Sequence, residues 1–194
     1  MKAYSFKSLS ILSLVFVLFP TVSYSAPSDA FIPVMQLLLL DDADAATIGA
    51  PGNFIQLTGS IDSSNKQWDR LLEDCTSDND GVDHYYEAHS IINNTGATQK
   101  IEILAQWANG DGYLHLVKSN FNPANPTLPD NPTEPYPGCI TGDDDFGLAF
   151  SLIDGGSNDH PSIEPGEVLT IMASTYSAND QIGSYTIDIE TLAE

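Results

Sequence analysis

Alternation of apolar and polar residues with a period of two constrains the fold of this chain more than any other feature. In residues 184–190 (SYTIDIE) an apolar side chain falls at every second position. Because successive side chains of a β-strand point to opposite faces of a sheet, this pattern predicts a half-buried strand. Further segments are predicted strands on similar grounds: residues 54–61, 84–92, 99–107, 113–118, 148–152 and 168–175.

Turn-forming residues separate the predicted strands, and convincing helical periodicity is absent. Residues 68–73 are the one place where a turn or two of helix is expected. Residues 120–147 contain six prolines and are therefore predicted to form a long connection that cannot be a central strand. Many short strands punctuated by Gly, Pro and Asn predict an all-β fold, an antiparallel β-sandwich of jelly-roll type.

Two cysteines, Cys75 and Cys139, are present in the chain. An even number of cysteines in an exported protein predicts a disulfide, here one that closes a long loop. The alternatives are a free thiol pair or two metal ligands, and neither has a supporting motif.

The first residues have the composition of an export signal. Lys2 and Lys7 precede a short apolar run at residues 9–20, and Ser23 and Ser25 favour cleavage before Ala26. We therefore expect a signal peptide at residues 1–25, a leader or linker at residues 26–53, and a sandwich domain at residues 54–194. The predicted location is extracellular or periplasmic, and no later stretch is long enough to span a bilayer.

The charge of the chain excludes two classes of partner. Its formal charge is −21, from 27 acidic residues against 6 lysines and arginines. Phosphate groups are bound by Lys and Arg, so nucleic acid and anionic membrane surfaces are poor partners for this protein. The acidic excess either serves solubility alone or is relieved by divalent cations.

Five short segments stand out by their order and spacing: residues 111–117 (DGYLHLV), 121–126 (FNPANP), 142–147 (GDDDFG), 165–171 (PGEVLTI) and 183–189 (GSYTIDI). Together they resemble the bacterial pre-peptidase C-terminal domain family, over about residues 82–192. In that family a Leu-x-Leu strand leads through a loop to an Asp-Asp turn, a Pro-Gly turn starts a later strand, and a Gly-x-Tyr-Thr strand closes the domain.

The resemblance implies a jelly-roll-like accessory domain of a secreted peptidase. Some members of the family bind calcium, and some help to engage protein or polysaccharide substrates. The present sequence departs from the family at Tyr113, where members often have Asp, so that Asp111 takes only the earlier acidic position. We also expect no peptidase domain in this sequence, so the role of helper to an attached protease is not carried over.

Calcium is the predicted cofactor, and two acidic segments are its candidate ligands. Asp143, Asp144 and Asp145 are adjacent carboxylates in a Gly-flanked turn, with Asp111 as the expected distant ligand, and oxygen-rich flexible loops suit Ca²⁺. The alternative is a solvated acidic turn. A weaker second candidate is the segment of Asp78, Asp80 and Asp83, which lacks the helices and the final Glu of an EF-hand and is more simply a polar turn.

The tryptophans differ in their expected roles. Trp107 shares a face with Ile101 and Ile103, which predicts core packing, whereas Trp68 lies between Lys66 and Arg70 and is predicted to be an exposed ring for ligand stacking. No motif identifies a catalytic residue.

The predicted function is a non-catalytic secreted binding or structural module that acts at the cell surface or on extracellular protein or polysaccharide. The alternative is a small secreted hydrolase with a carboxylate acid/base pair on a jelly-roll scaffold. A concave cleft with two carboxylates at catalytic separation would favour the hydrolase. The sequence makes no prediction of oligomeric state.

Overall fold

A computed structural model describes residues 45–77, 82–126, 128–131, 134–144, 150–154 and 160–193. The chain divides into two units, Met1–Leu40 and Asp41–Glu194, and all described residues belong to the second. The described part is all-β, and it contains no helix of the length and apolarity needed to cross a membrane.

Eleven strands are formed by the described residues. They are β1 (Ala46–Ile48), β2 (Phe54–Ile61), β3 (Lys66–Asp69), β4 (Asp83–Asn93), β5 (Gln99–Trp107), β6 (Gly112–Lys118), β7 (Cys139–Asp143), β8 (Phe150–Ile153), β9 (Ser162–Ile163), β10 (Val168–Thr175) and β11 (Gly183–Leu192).

One sheet, sheet A, has the order β1–β4–β10–β6–β7. β3 pairs with the first residues of β4, so β1 and β3 occupy opposite ends of that strand. All pairings in sheet A are antiparallel except β1–β4, which is parallel. β7 lies at the edge, next to β6, in agreement with the prediction that the proline-rich connection contributes no central strand.

The second sheet, sheet B, has the order β2–β11–β5–β8, with β9 paired to the start of β5. The late strands β10 and β11 are each inserted between earlier strands, one in each sheet. Consecutive strands β4, β5 and β6 alternate between the sheets, so the connections cross from one layer to the other. The predicted antiparallel β-sandwich is confirmed.

The core is formed between the two sheets by alternate residues of their strands, as the period-two patterns require. Trp107 belongs to this core and is 3% exposed, which confirms its predicted role. Sheet A contributes Ile91, Leu114, Leu116, Leu169, Ile171 and Ala173, and sheet B contributes Ile101, Ile103, Ala105, Trp107, Tyr185, Ile187 and Ile189.

A second hydrophobic cluster covers the opposite, outer face of sheet A. Its buried members are Trp68, Leu71, Tyr86, Val117 and Met172. Residues 70–77, here called the covering segment, are fastened at several points. Cys75 is joined to Cys139 by the predicted disulfide, the N–H of Gly142 donates to the carbonyl of Glu73 at 2.8 Å, and the N–H of Tyr136 donates to the carbonyl of Cys75 at 2.9 Å.

Two regions differ from expectation. Residues 66–69 form β3 because they pair with β4, so the helical turn expected from residue 68 onward is wrong. β1 lies within the segment expected to be leader or linker, and Ile48 is buried in the core there. Both strands are too short to carry an alternation pattern of their own and are fixed by their partner β4.

Candidate functional site

A groove of about 710 Å³ lies on the outer face of sheet B and is here called the sheet B groove. Cavities of this size accommodate small ligands. Its described lining consists of ten uncharged residues: Thr58, Gly59, Ser60, Gln106, Trp107, Ala108, Phe150, Ser184, Tyr185 and Thr186.

Strand register places four outward-facing side chains of this groove in a transverse row. Thr186 is opposite Thr58 on one side and Gln106 on the other, and Gln106 is opposite Phe150. The alternation of each strand puts these positions on the face away from the core, and Gln106 and Thr58 are exposed whereas Thr186 and Phe150 are half-buried. The row therefore offers an aromatic ring, an amide and two hydroxyls on one surface.

A hydrogen-bonded array of three side chains joins the sheets behind this groove. The hydroxyl of Tyr185 donates to Oε2 of Glu87 at 2.8 Å and lies 2.6 Å from Nε2 of His89. The N–H of Ser60 also donates to Oε2 of Glu87, at 3.0 Å. A side chain at Gly59 would collide with the Tyr185 hydroxyl and the Glu87 carboxylate, so glycine is required for this close approach.

Burial shifts the titration of this array. It raises the pKa of Tyr185, with the hydrogen bond to Glu87 acting in the same direction, and it lowers the pKa of His89 against the opposing charge of Glu87. Tyr185 is 3% exposed. The hydrogen bonds of this array lie inside the protein and connect β4 of sheet A to β11 and β2 of sheet B.

An acidic cavity of about 460 Å³ lies between the covering segment and the ends of strands of sheet A. The guanidinium of buried Arg70 stacks over the ring of Tyr113 at 4.0 Å and lies 5.4 Å from the ring centre of Tyr176. Burial raises the pKa of Tyr113, while Arg70 acts in the opposite direction. The complete described lining is Arg70, Leu72, Glu73, Asp74, Tyr113, Asp144 and Tyr176.

The predicted calcium ligands near residue 143 are divided between different surroundings. Asp143 ends β7, and its Oδ2 accepts the N–H of Leu152 at 2.6 Å, which links β7 to β8. Asp144 lines the acidic cavity with Arg70. Asp111 is half-buried, and its carbonyl accepts the N–H of Tyr176. Asp145 lies outside the described residues.

The weaker acidic segment is described in part. Asp83 is exposed at the start of β4, opposite Asp69 of β3, whereas Asp78 and Asp80 lie outside the described residues. Within the described ranges, no group of three His, Cys, Asp or Glu side chains is placed to hold a metal ion. Calcium binding therefore stays a prediction.

Trp68 is not an exposed stacking ring, and that prediction is wrong. It is 2% exposed in the outer cluster, with its ring edge-on to His115 at 5.1 Å and to Phe121 at 6.1 Å. The physical reason is that Trp68 faces the outer side of sheet A, where residues distant in sequence cover it. Lys66, two positions earlier, stays exposed and lines a separate groove of about 510 Å³ beside Tyr86.

His115 is a buried polar residue that sequence reasoning did not single out. Its Nε2 lies 3.4 Å from the carbonyl of Leu72, and its ring stacks on Tyr113 at 4.7 Å. Burial lowers the pKa of His115 to about 3, with the Leu72 carbonyl opposing the shift. The available signal was the near-continuous apolar character of residues 112–117, which is typical of a strand covered on both faces.

Comparison with known proteins finds no protein-family model that matches the chain and no curated protein that matches it. The resemblance to the pre-peptidase C-terminal domain therefore stays a prediction based on the five segments.

Proposed function

We propose that this protein is a non-catalytic, exported binding module that acts on polymers outside the cytoplasm. The observation that carries the proposal is the sheet B groove, an open surface of hydroxyl, amide and aromatic side chains on a rigid sandwich. Ligand sites commonly combine an apolar surface with a few placed polar groups.

The architecture behind the groove supports a binding role. Glu87 and His89 each hydrogen-bond to the hydroxyl of Tyr185 between the sheets, so these groups, which could otherwise serve acid/base chemistry, are engaged in holding the scaffold. The sheet that carries the groove is thereby fixed against its partner, and a preformed surface loses little entropy when it binds a ligand.

The cellular location is supported by the Cys75–Cys139 bridge, which fits an oxidising, non-cytoplasmic compartment. Export itself rests on the signal-like composition of residues 1–25. The resemblance to an accessory domain of secreted peptidases supports the same role, with calcium as the predicted stabilising ion.

Co-sedimentation with insoluble extracellular material tests the proposal. The full-length secreted product is incubated with cell-wall and matrix fractions, and the bound protein is measured together with the reducing ends and free amines released into solution. We expect saturable binding without time-dependent release of reducing ends or free amines. If either product were released at a rate proportional to protein concentration, the result would contradict the proposal in favour of the hydrolase. If the protein bound saturably to none of the fractions, the result would contradict the proposal altogether.

A further inference from the structure

The transverse row of the sheet B groove spans four strands. Adjacent strands lie about 4.8 Å apart, so the row from Phe150 to Thr58 is about 14 Å long. Gln106 and Thr186 lie between these ends in direct register. A row of this length provides room for a short linear ligand that lies across the strands rather than along them.

The chemistry of the row indicates an uncharged ligand. Although the chain contains 27 acidic residues, each of the ten described lining residues of the groove is uncharged. Asp188, on the next row along β11, is held by the amide of Gln56 through a hydrogen bond of 2.7 Å. The groove therefore provides neutral hydrogen-bonding groups, and its described lining offers no ionic partner to an anion or a cation.

The groups present match the functional groups of a sugar. Thr and Ser hydroxyls and the Gln106 amide each donate and accept hydrogen bonds, as sugar hydroxyls do. A phenyl ring such as that of Phe150 buries apolar area and can cover the C–H face of a sugar ring. One aromatic ring beside several neutral polar groups thus suits a ligand that is polar at its edges and apolar on its faces.

The position of the row favours a glycan over a peptide. An extended peptide typically binds a sheet by main-chain pairing with an edge strand. The row instead crosses the face of the sheet, where β5 and β11 are already paired with each other and with their outer neighbours. Recognition on this face must use side chains alone.

On the basis of the proposed binding function, we propose that the outer face of sheet B binds a neutral glycan chain that lies across β8, β5, β11 and β2. Phe150 stacks on a sugar ring at one end of the row, and Gln106, Thr186 and Thr58 hydrogen-bond to sugar hydroxyls along it.

Affinity electrophoresis of the full-length protein tests this assignment, with hydroxyethylcellulose, xylan, mannan and starch as neutral probes and polygalacturonate as an anionic probe. We expect retardation by at least one neutral polysaccharide and none by polygalacturonate. Binding should change little between low and physiological salt, because screening acts on charge pairs and not on neutral contacts.

Four variants locate the site. We expect Phe150→Ala to weaken binding roughly tenfold, as for a buried aromatic contact, and Gln106→Ala to weaken it about three- to tenfold. Phe54→Ala, an exposed phenylalanine of the same sheet outside the groove, and Gln67→Ala, an exposed glutamine of β3, are matched controls that should retain full affinity. Circular dichroism confirms folding, and the exposed position of Gln106 keeps the test valid if Phe150→Ala does not fold.

Three results would overturn the glycan assignment. They are retention of full affinity by both Phe150→Ala and Gln106→Ala, equal losses in the matched controls, and absence of retardation by all four neutral probes. None of these results contradicts the proposed function if the protein still sediments with extracellular material. Binding only to polygalacturonate, or only to a protein fraction, would identify a different partner for the module.

Discussion

Many outward-facing residues of sheet A are buried, among them Tyr86, Val117 and Met172, whereas the outward-facing strand residues of sheet B are half-buried or exposed. β6 of sheet A is buried at every position except its last, Lys118, and β11 of sheet B alternates between buried and more exposed positions along most of its length. β3 and the covering segment account for the difference, because they place Trp68 and Leu71 in the outer cluster on sheet A. Sheet A thus has hydrophobic clusters on both faces, whereas the outer face of sheet B is open to solvent.

The difference predicts that residues important for stability and residues important for the proposed glycan binding lie on different sheets. Side chains on the outer face of sheet A contact one another and exclude water, so their removal should cost free energy of unfolding. Side chains on the outer face of sheet B contribute little buried area. Residues suited to ligand contacts can therefore occupy these positions at little cost in stability. Substitutions on the outer face of sheet A should therefore lower the free energy of unfolding more than they weaken binding. Substitutions on the outer face of sheet B should weaken binding more than they lower the free energy of unfolding.

Trp68→Ala should have the largest effect on stability. Replacement of a buried tryptophan by alanine leaves a cavity and typically costs about 3–5 kcal/mol of the free energy of unfolding. Gln106→Ala on the open face of sheet B should cost less than about 0.5 kcal/mol. Urea unfolding of both variants measures the contrast, and equal small losses would show that the outer cluster is not part of the cooperative core.

Removal of the disulfide should have the next largest effect. The double variant Cys75→Ala/Cys139→Ala should lose about 2–4 kcal/mol, because the bridge restricts the unfolded chain over a sequence separation of 64 residues. Its local effect should fall on sheet A, since Cys75 belongs to the covering segment.

Hydrogen exchange locates that effect. In the double variant, amides of residues 70–77 and 134–143 should lose more protection than those of β5 and β11. A uniform change over both sheets would mean that the bridge acts on global stability alone and that the covering segment is held by its packing and hydrogen bonds.

The sandwich and the disulfide were predictable from sequence because they depend on local alternation and on cysteine count. β3 was not, because its four residues KQWD have no alternation and become a strand only by pairing with β4. The burial of Trp68 was missed for the same reason: His115, Tyr86 and Phe121 reach it from distant parts of the chain.

The sheet B groove was equally beyond sequence reasoning. Phe150, Gln106 and Thr186 are individually unremarkable polar or aromatic positions, and only strand register places them side by side. Sequence patterns identify which face of a strand a residue occupies, but the neighbours on that face are set by long-range pairing.

His115 makes the stability of the covered face dependent on pH. Its folded-state pKa of about 3 lies below the ordinary value of 6.5, so the unfolded chain binds a proton first as the pH falls. Stability should therefore be lost from about pH 6.5 downward, by at most about 1.4 kcal/mol per pH unit. We expect His115→Gln to reduce this slope between pH 6.0 and 5.0, measured by urea unfolding. An unchanged slope in this variant would contradict the assignment.

Calcium should have the smallest effect on stability. Its addition tests whether an ion bound at the acidic end of β7 further stabilises sheet A. A site formed with Asp144 would stabilise the protein by about 1.4 kcal/mol at ten times its Kd, and Asp144→Asn should remove this gain whereas Asp180→Asn, a surface control, should retain it. Thermal unfolding in calcium, in magnesium and in chelator measures the selectivity. Equal effects of the two ions would mean general relief of charge repulsion and would contradict the calcium prediction.

Because the described lining of the sheet B groove contains no carboxylate, glycan binding should be the same in calcium and in chelator. A calcium requirement for binding would show that the acidic end of β7 and the sheet B groove are coupled.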